Sequence, residues 1–160
     1  MPPAEPRAVD ARKSRPVFAE QVEELMDRHR AEPGRGYDVK AFEIAERART
    51  DGLADIFGAR PEPLSLREIQ RGLLDRDTLL LDYFLGERQS TLWVVSSTSM
   101  SAYALPPCST IEDAARKTYA LLARGYIRES AVRLDLALSS LGEMLLGPVE
   151  GQLAGKTLIV

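Results

Sequence analysis

The stretch from Leu79 to Leu105 constrains the chain more than any other, because it reads as three short strands in succession. They are Thr78-Leu-Leu-Leu-Asp-Tyr-Phe84, Thr91-Leu-Trp-Val-Val-Ser96 and Met100-Ser-Ala-Tyr-Ala-Leu105. Polar loops separate them, one around Gly86-Glu-Arg-Gln89 and one around Ser97-Thr-Ser99. Both loops are short enough to make each neighbouring pair an antiparallel hairpin, which gives a meander. Side chains alternate across a strand, so Leu79, Leu81 and Tyr83 point one way and Leu80, Asp82 and Phe84 the other. Both sets are largely apolar, so the sheet calls for cover on both faces rather than on one.

The residues around the meander read as helices. Ser14 precedes Pro16, a pattern for a helix start, and Phe18, Val22, Leu25, Met26 and His29 share one helical face. Glu32-Pro-Gly-Arg-Gly36 ends that helix. A second helix is expected from Asp38 to Phe57, with Ala41, Phe42, Ala45, Ala48, Leu53, Ile56 and Phe57 inward. The short link between them predicts a helical hairpin. Gly58-Ala-Arg-Pro-Glu-Pro63 breaks the pattern, since neither proline can donate to a helical ladder. Ser65-Leu-Arg-Glu68 has the spacing of a capping box and opens a short helix with Leu66, Ile69 and Leu73. After Pro106-Pro107, a helix from Ile111 to Arg124 is expected to bury Ile111, Ala115, Thr118, Leu121 and Leu122. A last helix from Ser130 to Leu146 carries Ala131, Leu134, Leu138, Leu141 and Leu145 on one stripe. Gly147-Pro148 ends it, a further turn over Val149–Leu153 follows, and Lys156-Thr-Leu-Ile-Val160 reads as an apolar, central parallel strand. No strand follows it to complete the sheet, which suggests truncation.

The fold class this predicts is α/β, with three parts: a lead-in over residues 1–14, a helical hairpin over 15–60 and an α/β sheet domain over 64–160. A chain of 160 residues is too short for two full domains. The lead-in is rich in Pro, Arg and Ala without periodicity, the composition of a disordered segment. A hydrophobic fraction of 44% and a charged fraction of 28% are ordinary for a globular chain. No apolar run approaches the roughly 20 residues of a membrane span. Met1-Pro-Pro-Ala-Glu-Pro-Arg7 has no apolar secretory core, so a cytoplasmic location is expected. A net charge of -3 offers no general attraction to nucleic acid or anionic membrane. The absence of asparagine and the excess of arginine over lysine suggest a GC-rich bacterium.

One cysteine and one histidine exclude an intrachain disulfide and a Cys/His metal centre. A Cys/His pair is the nucleophilic arrangement the composition allows, because a thiolate needs a base within hydrogen-bond reach. Cys108 follows two prolines between a strand and a helix, whereas His29 lies on the first helix, and nothing in the pattern brings them together. Both therefore read as structural. Asp82, on an apolar strand, needs a partner if buried, and reads as a paired or edge aspartate. Trp93 reads as core. Gly86-Glu-Arg88 is too short and charged for a phosphate loop, and Ser96–Ser99 lacks the glycines of a nucleophile elbow.

Four segments in order carry a resemblance. They are Asp75-Arg-Asp-Thr-Leu-Leu-Leu-Asp-Tyr-Phe-Leu-Gly86, Trp93-Val-Val95, a third strand ending in Leu105-Pro106, and Leu141-Gly-Glu-Met-Leu-Leu-Gly-Pro148 leading to Gly155-Lys-Thr-Leu-Ile-Val160. Together they resemble the start of a CHAT domain, the caspase-like domain found in bacteria behind tetratricopeptide repeats. Ala45-Glu-Arg-Ala-Arg49 is similar to the last repeat helix before such domains, so the resemblance spans residues 38–160. It implies a partial caspase-like α/β sandwich and, in active members, a cysteine peptidase of the caspase and separase kind. In that family the His follows the strand that begins here at Lys156, and the Cys follows a later strand. Neither position falls in this chain, so the resemblance assigns no catalytic, cofactor-binding or metal residue, and the chain is expected to be inert as it stands. The alternative is a non-catalytic scaffold for protein–protein contact. The implied partners are proteins or peptides, and the unpaired sheet edge suggests self-association.

Overall fold

The computed structural model describes the backbone of residues 11–58, 62–123 and 128–160, and their side chains except those of 11–16, 53–57 and 128–130. The chain is α/β: a helical hairpin, then a four-stranded mixed sheet with helices. It divides into two compact units, Met1–Leu66 and Arg67–Val160. The division falls inside the short helix that follows the Gly58–Pro63 breaker.

In the first unit, α1 (Ala11–Ala31) and α2 (Tyr37–Phe57) form the hairpin. Gly34 (φ 86°) and Gly36 (φ 73°) turn the chain in the left-handed region that only glycine adopts freely. Gly58 (φ 69°) ends α2 in the same way. Val22 and Met26 of α1 and Ala41, Phe42 and Ala45 of α2 are buried, as their spacing requires. Phe18, Leu25, His29 and Ala48 are half-buried. The side chains of Leu53, Ile56 and Phe57, and the lead-in over residues 1–10, lie outside the described residues. Helix α1 starts at Ala11, within the expected lead-in, which puts Pro16 inside the helix rather than in its first turn. Ala, Arg and Lys at positions 11–13 are strong helix formers, and a proline so near the end removes one ladder bond only.

In the second unit, α3 (Leu66–Gly72) buries Ile69. Leu73, expected on the same stripe, is exposed, and Leu74 is buried instead. The helix has ended by then, so its period no longer applies. Strands β1 (Thr78–Phe84), β2 (Ser90–Val95), β3 (Met100–Leu105) and β4 (Thr157–Ile159) form one sheet in the order β3-β2-β1-β4. β1 pairs antiparallel with β2, β2 pairs antiparallel with β3, and β4 lies parallel to β1. β4 is parallel, as its sequence predicts, but it ends the strand order rather than occupying the centre. It is reached through α4 (Cys108–Ala123), α5 (Arg128–Leu146), a 3-10 turn over Gly147–Val149 and the short α6 (Glu150–Leu153). Such a crossover is what a parallel pairing demands.

The register sorts the sheet residues by face. Leu79, Leu81, Leu92, Val94 and Leu105 form one core with Ile111 of α4 and Val149 of the turn, and Tyr83, Tyr103, Leu145 and Leu153 pack against it. On the opposite face Asp82, Trp93 and Val95 are buried, and the Phe84 and Trp93 rings meet at 6.4 Å, tilted by 51°. Both faces thus carry buried residues, as the apolar alternation requires.

Two helix stripes differ from expectation. On α4, Ile111 and Thr118 are buried and Ala114 and Leu121 half-buried, while Ala115 and Leu122 are exposed. Thr118 turns its hydroxyl back to donate to the Ala114 carbonyl at 2.9 Å, so a polar residue is accommodated at the centre of the stripe. On α5, Leu134 is buried and Ala131, Ala137, Leu141 and Leu145 half-buried, but Leu138 is 46% exposed. A 3.6-residue period admits either neighbour, and packing selects Ala137. The expected helix end at Arg124 and its stop at Gly125 lie outside the described residues.

These burials set an expectation for stability. Leu81→Ala should cost about 2–5 kcal/mol and Leu122→Ala under about 0.5 kcal/mol. Urea unfolding followed by the fluorescence of Trp93, the single tryptophan, measures both. A cost above 2 kcal/mol at Leu122 would place the α4 stripe where the sequence pattern put it.

Candidate functional site

The single thiol sits where the two ends of the meander meet α4. Pro106 and Pro107 terminate β3, and Cys108 is the first residue of α4. Its backbone N–H donates to the Gly86 carbonyl at 2.8 Å, which ties the helix start to the β1–β2 loop. The N–H groups of Thr110 and Ile111 are taken by the Pro107 carbonyl at 3.0 and 3.3 Å. The Cys108 thiol donates from Sγ to Glu112 Oε1 at 3.3 Å, one helical turn on.

That environment opposes thiolate chemistry. Burial raises the Cys108 pKa, the hydrogen bond to Glu112 raises it further, and the carboxylate charges of Glu112 and Glu87 add to the effect. A helix N-terminus alone would favour the thiolate. Here two carboxylates stand where a nucleophilic cysteine needs a cation, so the proton stays on sulfur.

The candidate base lies in the other unit. His29, in the last turn of α1, has Nδ1 at 3.6 Å from Asp38 Oδ1 in the first turn of α2. The imidazole lies near the C-terminus of one helix and the carboxylate near the N-terminus of the next, on either side of the hairpin turn. The structure thus places His29 and Cys108 in separate units with carboxylates as partners.

Asp82 and Trp93, the other residues singled out by sequence, sit directly opposite each other on β1 and β2. Both are buried, and each has interaction partners within the fold. Their placement is that of a cross-strand pair within the sheet. The Ser96–Ser99 segment is a turn closed on itself: Ser96 Oγ accepts from the Thr98 and Ser99 N–H groups at 3.3 and 2.9 Å. Gln70 Nε2 fixes it from α3 through the Ser96 and Ser99 carbonyls at 3.0 and 3.2 Å. Among the described residues, no three His, Cys, Asp or Glu side chains converge as a metal site, and no helix is long and apolar enough to cross a membrane.

The remaining candidate is the sheet end at β4. Gly155 (φ 73°) turns the chain into the strand, Thr157 N–H donates to the Asp77 carbonyl at 2.8 Å, and Lys156 Nζ donates to the Arg76 carbonyl at 3.0 Å. Beneath it, the Asp75 carboxylate accepts from Thr78 Oγ1 at 2.7 Å and from the Asp77 N–H at 2.9 Å. These bonds, the hydroxyl first, hold its pKa below the ordinary 3.8. Leu158 and Ile159 nonetheless remain 40% and 41% exposed. An apolar strand this exposed at the end of a sheet is a candidate place for a partner. Sequence reasoning found this strand. It missed the carboxylates around the thiol, although the i, i+4 spacing of Cys108 and Glu112 signals one of them. No family model, curated protein or solved structure matches the chain.

Two titrations follow. Modification of Cys108 by a disulfide reagent should rise only above the usual thiol pH range, and Glu112→Gln should bring that midpoint down. Reaction that is already maximal at neutral pH would contradict a protonated thiol. By NMR, Asp75 should titrate below the ordinary carboxylate midpoint and move up in Thr78→Val. A depressed carboxylate stabilises the fold above its unfolded pKa, and the contribution is lost as pH falls through the folded value, so the effect is confined to acid.

Proposed function

We propose that this chain provides the amino-terminal part of a caspase-like α/β domain of the CHAT kind, behind a tetratricopeptide-type hairpin, in a cytoplasmic bacterial protein. The observation that carries the reading is β4. A Leu-Ile-Val strand follows the α4–α5 crossover, lies parallel to β1, and keeps both apolar side chains partly open at the end of the sheet. In a caspase-like sheet that edge takes a further strand. The general base and the nucleophile would then come from segments other than those of this chain. Protein or peptide substrates would be cut by thiolate attack on the scissile carbonyl, with a histidine as base.

The surroundings of Cys108 support the view that this chain by itself is not the catalytic part. They also keep a second reading in play, in which the domain is a non-catalytic scaffold for protein contact. The encoding reading frame separates the two. The peptidase reading expects a histidine soon after the β4 strand and a cysteine after a later strand, and a frame lacking either leaves the scaffold. A frame that places no further strand beside β4 overturns the caspase-like reading altogether. For the chain itself, purified protein should release no label from a fluorogenic protein substrate. Thiol-dependent cleavage abolished by Cys108→Ala would overturn the assignment of the chemistry to other segments.

A further inference from the structure

We draw no further inference here: the strongest candidate, the exposed apolar surface of α4 and α5 with Tyr119, Leu122, Val132 and Leu136, carries none because nothing in the structure shows what covers it.

Discussion

The second unit depends on β1 being paired on both sides with opposite polarity. It takes β2 antiparallel through Leu80↔Val95 to Phe84↔Thr91 and β4 parallel through Thr78↔Thr157 to Leu80↔Ile159. The antiparallel side needs only a short loop, whereas the parallel side needs a crossover to carry the chain back along the sheet. Everything between Leu105 and Thr157 is that crossover. Helices α4 and α5 fill it, and in doing so they supply the cover for one face of the sheet. On the other face Asp82 is buried, and the Phe84 ring of β1 meets the Trp93 ring of β2 at 6.4 Å.

Specific helix-to-strand contacts position the crossover. Tyr83 reaches across to donate to the Leu145 carbonyl at 3.0 Å near the end of α5, and burial raises its phenol pKa, which keeps it a donor. Val149 then plugs the core from the 3-10 turn. Lys156 and Thr157 complete the path by bonding to the Asp77 end of β1. With these bonds β4, only three residues long, lies in register with β1.

The same construction explains why the Cys108 thiol has a raised pKa. Cys108 sits at the junction because α4 must start immediately after the prolines to cover the sheet. The helix that begins there brings Glu112 back over the sulfur after one turn. The two ends of the sheet are strands β3 and β4. These differ in kind: β4 is short, apolar and partly exposed, whereas β3 is longer and uncharged. A strand edge offers backbone groups that a further strand can satisfy.

Much of the fold was legible in order along the chain. The meander, the hairpin, the two late helices and the parallel character of β4 follow from local patterns, since alternation, helical period and glycine or proline punctuation are properties of neighbours in sequence. Which residue of a stripe is buried was not legible: Leu74 in place of Leu73, Ala114 in place of Ala115, and Ala137 more than Leu138. The helical period tolerates either choice, and only the opposing surface selects one. Likewise the sequence could name a cysteine and a histidine, but not that each faces a carboxylate, because those pairings join residues whose side-chain directions are set by helix placement. The order β3-β2-β1-β4, and with it which strands lie at its ends, was decided by tertiary structure alone, since strand adjacency is a long-range pairing that no local window contains.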